Sequence, residues 1–480
     1  MKQIFSVLLM IALLTDCTKS TDSISVISGK VSHYDAKELY LSIDGRKDTL
    51  RIKEDGTFSL EVIVSQPSDA VLQGQGLQLK LYLEPGRDLE ININGQGNEG
   101  SVLFKGDLAL PARYLYEKAL QKRKSQKLYS TFYRPPKTAG DFKLFRDSLA
   151  QNQFAYLEDF KKTNPGLSMN FYKREKLAIS YDLYSDLYGY PRVVNIANRE
   201  RMNIPSDWYF FLDSINMNDP SILDISEGKW FVTYFVALES AKTGGISYDD
   251  ITRNADWIRE TFKYVKEHLP QQEFYNEIPH YFLTYYMDND RMGTAGIEDL
   301  VSEYLSKSTD ETLKKDIRLK CDKWAAIATG QPAPDFTLPN IKGEHVSLDD
   351  FRGKYVFIDF WFTGCGTCKA MFPYLKLIMN EYNERNIIFI SISVDKERSD
   401  WEKMLREGYE EEGMQVLFEE QPNWIHLYGP QSRTLANQYL VSGYPTYILI
   451  DRDGKFVRSQ CEYPRRMDKI RKLLDAQVGL

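Results

Sequence analysis

Two cysteines, Cys365 and Cys368, stand three residues apart in the stretch FIDFWFTGCGTCKAMFPYL. The apolar run Val356 to Phe362 ahead of them reads as a buried strand. The residues after them repeat apolar side chains at three- and four-residue steps, the period of a helix. At positions i and i+3 on the opening turn of a helix, two thiols share one face and can close a small disulfide ring. The first sits at the helix N-terminus, where unpaired N–H groups and the helix dipole favour an anion. Its pKa falls, and thiolate, the nucleophilic form, is present at neutral pH. The second lies one turn inside, more shielded, and is placed to resolve a mixed disulfide. This is the pattern of dithiol redox chemistry.

Zinc is the competing use of a C-x-x-C pair, and a structural zinc site wants a second pair of ligands at comparable spacing. Cys321 and Cys461 are isolated, and His345 and His426 form no pair with each other. A peroxidatic cysteine carries a proline and a threonine at fixed offsets before it, and no proline lies in this approach. Cys321 and Cys461 read as isolated thiols that behave as small hydrophobes, with a structural bridge between them as the alternative.

The elements that must position the thiols come last in the chain. From about residue 326 to Leu480 apolar strands alternate with helical patterns, and Pro332, Pro334 and Pro339 mark an extended lead-in; this is the signature of an α/β layer fold. Residues 25–107 are different: short alternating runs separated by turn signals, with Asp55-Gly56 as a hairpin cue, predict a small β-sandwich of six or seven strands. Residues 108–325 predict an α-helical middle domain of seven to ten helices, broken at Pro135-Pro136, Asn164-Pro165-Gly166, Tyr190-Pro191, Asp219-Pro220 and Leu269-Pro270. Its many aromatic residues read as core, with a sugar- or peptide-binding groove as the functional alternative. His426 and the run Glu407 to Gly413 read as a solvated helical insertion.

The N-terminus carries Lys2 and then an apolar run from Ile4 to Leu14, too short to span a bilayer. That is an export signal over residues 1–16, followed by a linker over 17–24. The segment resembles a bacterial lipoprotein signal, which implies lipidation of Cys17; Leu14 and Thr15 suit that pattern and Asp16 departs from it. Export places the rest of the chain in the periplasm, an oxidising compartment, lipid-anchored to a membrane, most simply the outer membrane. Over the whole chain Lys+Arg 61 against Asp+Glu 68 leaves net charge −7, which excludes a global basic footprint for nucleic acid.

The last 150 or so residues resemble the TlpA/ResA type of thioredoxin-fold thiol–disulfide oxidoreductases, through GQPAPDFTLPNIKGEHVSLDDFRGKYVFIDFWFTGCGTC, Pro373 after the thiols, and GYPTYILIDRDGK. The resemblance implies a C-terminal thioredoxin fold with a redox-active disulfide between Cys365 and Cys368 and no other cofactor or metal. It implies a cis bond before Pro445, with the Tyr444–Pro445 loop opposite the thiols, where its backbone pairs with an extended substrate. Asp359 stands where thioredoxins keep a buried carboxylate; desolvation raises the pKa of such a group and lets it take the Cys368 proton. A hydrogen-bonded core aspartate is the plainer reading. Trp361 and Tyr444 are expected to shape the docking surface. Gly364 replaces thioredoxin's tryptophan and opens that side of the site. The partners implied are disulfide-bearing exported proteins and an upstream electron donor, with reduction favoured over oxidation. A glycan- or peptide-binding lipoprotein with an auxiliary thioredoxin domain is the alternative from another class. Residues 25–107 also resemble small β-domains found ahead of thioredoxin domains in exported proteins of Bacteroides-type bacteria.

Overall fold

The computed structural model describes residues 23–33, 37–43, 45–74, 76–95, 101–130, 138–198, 203–247, 254–289, 293–411, 414–418, 422–429 and 431–478. Cys17 and the expected signal segment lie outside the described residues. The chain divides into two compact units, one ending at Ala237 and the other beginning at Leu238.

In the first unit the alternating runs form β1 (Ser23–Ser32), β2 (Glu38–Ile43), β3 (Arg46–Arg51), β4 (Thr57–Val64), β5 (Ser68–Gly74), β6 (Leu77–Leu83), β7 (Leu89–Asn94) and β8 (Ser101–Lys105). They build two four-stranded sheets, ordered β4-β1-β7-β8 and β3-β2-β5-β6. Inward residues of both, among them Ile27, Leu41, Phe58, Leu72 and Ile91, share one core, as period-2 alternation requires. The Asp55-Gly56 turn is present, with Gly56 at φ +82°, but it does not close a hairpin. Its flanking strands join different sheets, β3 pairing with β2 and β4 with β1. A two-residue turn signal fixes chain reversal, not the partner that a strand finally chooses.

Helices α1 (Ala109–Ser130), α2 (Ala139–Thr163) and α3 (Met169–Asn198) follow, and α4 (Ser226–Thr243) carries the chain across the boundary between the units. The expected break at Tyr190-Pro191 is absent, because α3 runs through Pro191. A proline inside a helix leaves the carbonyl four residues earlier without its N–H partner. Here that carbonyl is Leu187 O, and the Trp208 indole N–H donates to it at 2.9 Å. The substitute donor removes the main penalty of the interruption.

After the end of α4 the second unit continues with α5 (Ala255–His268), α6 (Gln272–Thr284), α7 (Glu298–Lys307) and α8 (Glu311–Ala326). The α/β part then contains β9 (Thr337–Pro339), β10 (His345–Ser347), β11 (Tyr355–Trp361), α9 (Gly366–Glu381), β12 (Ile387–Ser393), α10 (Arg398–Glu407), β13 (Tyr409–Glu411), β14 (Met414–Val416), β15 (Trp424–Tyr428), α11 (Ser432–Gln438), β16 (Thr446–Ile450), β17 (Phe456–Arg458) and α12 (Met467–Val478). Its five-stranded sheet is ordered β15-β12-β11-β16-β17, with β15, β12 and β11 parallel and β16 and β17 antiparallel. Both faces are covered, which is why β11 and β12 read as nearly unbroken apolar runs. Phe357 and Trp361 of β11 pack with Phe372 and Leu375 of α9 and Ile470 and Leu474 of α12. Val356, Ile358 and Phe360 pack on the opposite face with Leu435 of α11 and with Tyr439.

Candidate active site

Strand β11 ends at Trp361, and the chain turns through Thr363 and Gly364 into α9. Cys365 is the N-cap of α9, with extended backbone at φ −83°, ψ 100°, and its Sγ accepts the Cys368 N–H at 3.1 Å. Sulfur therefore occupies the place usually taken by a Ser, Thr or Asp oxygen, and a negative charge on it faces the positive end of the helix dipole. Cys365 and Cys368 are joined in a disulfide, with Cα atoms 5.2 Å apart. Cys365 keeps 7% exposure and is flanked by exposed Gly364, Gly366 and Thr367, whereas Cys368 keeps 1%. Access from outside is to the first sulfur.

Beneath α9 the sheet presents one row of polar side chains. In the strand register Asp359 pairs with Ser391 on one side and Tyr447 on the other, and Ser391 pairs with His426. Asp359 is 2% exposed; its Oδ2 accepts the Ser391 hydroxyl at 3.4 Å, and its Oδ1 has no hydrogen-bond partner. Burial pushes its pKa up to about 8, with the Ser391 hydrogen bond acting in the other direction. Asp359, six residues before Cys365, is thus a buried acid on the face of β11 that packs under α9. His426 departs from its expectation. It lies in β15 with both ring nitrogens buried and unpartnered, and burial pushes its pKa down to about 3. The run after Glu407 forms the hairpin β13–β14 instead of a helical insertion.

Three supports hold the thiol turn, and sequence reasoning identified none of them. Asp395 accepts the Thr363 N–H at 3.0 Å, the Thr363 hydroxyl at 2.7 Å and the Ser393 hydroxyl at 2.7 Å, pinning the turn to the end of β12. Its only sequence signal is its place at the carboxyl end of a predicted strand, where α/β sheets gather their functional loops. Pro373 lies inside α9 and leaves Lys369 O without a helical partner; the Tyr409 hydroxyl donates to that carbonyl at 2.6 Å. Phe418 follows β14 and stacks on Trp361 at 5.8 Å, closing the side of the core beneath the thiols.

Trp361 is fully buried, its ring also edge-on to Phe372 at 4.9 Å, so it cannot form part of a docking surface. Alternation puts it on the α9 face of β11, and that face is covered by the helix and the hairpin. Tyr444 is half-buried and packs edge-on against Phe362 at 5.5 Å, and the Tyr444–Pro445 bond is cis, as the resemblance implies. Cys321 and Cys461 are both free; burial pushes the Cys461 thiol up to about 12. His280 pairs with Asp316 at 2.9 Å. Among the described residues no three His, Cys, Asp or Glu side chains cluster to hold a metal ion.

A dithiol at the N-terminus of the first helix of this five-stranded sheet, with a cis-proline loop and a buried acid, defines a thioredoxin-fold disulfide carrier. The Redoxin family model matches residues 328–474. The thiol-disulfide oxidoreductase ResA of Geobacillus thermodenitrificans is 30% identical over 132 residues, covering 27% of this chain and 67% of the relative. That of Bacillus subtilis is 28% identical over 133 residues, covering 28% and 67%. The crystal structure of the thioredoxin domain of a thiol-disulfide oxidoreductase from Bacteroides vulgatus is 32% identical, covers 30% of this chain and 96% of that one, and has a TM-score of 0.26. Through this C-terminal segment the chain belongs to the ResA family of thiol–disulfide oxidoreductases, and it is a thioredoxin-like oxidoreductase.

Two consequences are measurable. Tyr409→Phe leaves the Lys369 carbonyl unsatisfied and should cost about 1–3 kcal/mol in denaturant unfolding of the second unit; no change in the transition would remove Tyr409 as a support of α9. Asp359 binds its proton more tightly folded than unfolded, since burial raises its pKa from 3.8 to about 8. Stability should therefore fall as pH rises between those values, by at most about 1.4 kcal/mol per pH unit. Asp359→Asn, which cannot ionise, should melt with the parent near pH 4 and progressively above it toward pH 8. A constant offset across that range would contradict the assignment.

Proposed function

We propose that this chain is an exported, membrane-anchored reductase of protein disulfides in which Cys365 attacks, Cys368 resolves and Asp359 handles the proton. The observation that carries this reading is the difference between the two sulfurs: Cys365 at the helix cap with the greater exposure, Cys368 enclosed one turn inside the helix that covers the Asp359 face of β11. In the dithiol form the Cys365 thiolate attacks a substrate disulfide. One Cys365–substrate S–S bond forms, and one half of the substrate leaves as thiolate. Asp359, in the fraction of molecules where it is ionised, then takes the Cys368 proton, and the Cys368 thiolate attacks the Cys365 sulfur. The intramolecular disulfide forms, the bond to the substrate breaks, and the second thiolate departs. Two electrons have passed to the substrate, and an upstream donor must return two to the Cys365–Cys368 disulfide.

The exposed rim of Gly364 and the Tyr444–Pro445 loop are the surface for the substrate chain. Trp361 is excluded from it by burial. Export to the periplasm, with a lipid on Cys17 in the outer membrane, is supported by the N-terminal sequence alone. Among the described residues no helix is long and apolar enough to cross a membrane. The sandwich over 25–107, the helical part over 108–325 and the thioredoxin part over 326–480 are proposed as three segments.

Iodoacetamide added to the reduced protein near neutral pH should modify Cys365 well before Cys368, and Cys368→Ser should accumulate a mixed disulfide through Cys365. Faster modification of Cys368, or accumulation only in a Cys365→Ser variant, would reverse the roles.

A further inference from the structure

We propose that Ser391, oriented by Trp424, is a positioning residue that sets the pH at which Asp359 can accept the Cys368 proton. The inference rests on the acceptor role assigned to Asp359 above and deepens it by naming what tunes that acceptor.

The direction of each hydrogen bond follows from the donors present. An indole N–H can only donate, and Trp424 Nε1 gives its hydrogen to Ser391 Oγ at 2.9 Å. Ser391 has one hydroxyl hydrogen, and the bond it can donate runs to Asp359 Oδ2 at 3.4 Å. Such a bond favours the ionised carboxylate and opposes the desolvation that favours the acid. The protonated acid can carry its hydrogen on Oδ1, which has no partner, and keep the Ser391 bond on Oδ2. Both protonation states thus fit one arrangement of side chains, so proton uptake needs no rearrangement of the sheet. Ser393, two residues on along β12, cannot substitute, because its hydroxyl is given to Asp395.

The other groups near Asp359 come from each element packed on it. Helix α9, which packs on the Phe357 and Trp361 face of β11 that also carries Asp359, holds Cys365 and Cys368 at its start. Strand β16 supplies Tyr447, with the Tyr463 ring 6.3 Å behind it, and burial keeps Tyr447 un-ionised. Strand β15 supplies His426 beyond Ser391, held neutral by burial. Apart from a Cys365 thiolate, none of these is charged at neutral pH, which leaves the Ser391 hydroxyl as the polar contact made to the carboxylate.

Removing that hydroxyl should raise the pH needed for proton transfer. The test follows release of the second thiolate from 5,5′-dithiobis(2-nitrobenzoate) by the reduced full-length chain. Cys17→Ala, Cys321→Ala and Cys461→Ala are included so that only the active pair reacts, and rates are taken in stopped flow from pH 5 to 10. The first release reports attack by Cys365 and the second reports resolution by Cys368. In Ser391→Ala the rising limb of the second phase should move up by about one pH unit, making resolution about tenfold slower at pH 7. The alkaline plateau should be unchanged, which a distorted site would not leave intact. Ser391→Thr, which restores a hydroxyl, should return the limb. Trp424→Phe frees the hydroxyl to rotate and should shift the limb the same way by less, and this variant decides the matter if Ser391→Ala does not fold. A limb that stays in place in Ser391→Ala, or in Trp424→Phe when that variant decides, while Asp359→Asn abolishes it, would overturn the role of Ser391 and leave the acceptor intact. A limb that persists in Asp359→Asn would overturn the acceptor itself, and this inference with it.

Discussion

The second unit is organised around one unfavourable placement: a carboxyl group on the face of a sheet that is closed by a helix. Among the described residues Asp359 has a single hydrogen-bond donor, Ser391, on one of its oxygens. A carboxylate so placed costs far more to ionise than one in water, and the group holds its proton at pH values where an ordinary aspartate has lost it. The same closure makes Cys368 a sheltered thiol. On the mechanism proposed above, the fold gains an internal exchange: a proton can pass between acid and sulfur without solvent entering the core. What it gives up is stability at neutral and higher pH, the usual trade at a site built for chemistry.

Keeping that face closed while a sulfur remains accessible sets requirements on everything around it. The turn between β11 and α9 must hold Cys365 at the helix cap, and Asp395 does this by accepting from both the N–H and the hydroxyl of Thr363. The helix must tolerate Pro373, and Tyr409 answers the carbonyl that the proline frees. The same device appears in the first unit, where Trp208 answers the carbonyl freed by Pro191. In both places a side-chain donor from outside the helix replaces a missing backbone N–H, so the proline shapes the helix without ending it.

This pattern marks what sequence reasoning can and cannot reach. The Cys365–Cys368 pair was legible because the chemistry, the strand before it and the helix after it lie within some twenty consecutive residues. Asp359 was legible as the one acid in an apolar strand, and the Tyr444–Pro445 loop through its resemblance to a known motif. What stayed hidden depends on partners distant in the chain. Trp361 lies on the expected face of β11, but only the packing of α9 and Phe418 shows that nothing outside can reach it. His426 looked solvated because its strand pairs with β12 across some thirty residues. The Asp55-Gly56 turn was visible, while the separation of its two strands into different sheets was not, since sheet choice is made by the shared core and not by the turn. Ser391 stood out in the sequence only as a small residue in an apolar strand; its meaning comes from the register that sets it beside Asp359 and from the indole N–H it accepts from Trp424.

The central claim is that the Asp359 carboxyl is desolvated enough to stay protonated near neutrality. Carbon-13 NMR of the protein labelled at aspartate side-chain carboxyls reads this directly, with Asp359→Asn identifying the resonance. In the disulfide form that resonance should titrate with a midpoint near pH 8. A midpoint near pH 4, in the range of the exposed aspartates, would contradict the account.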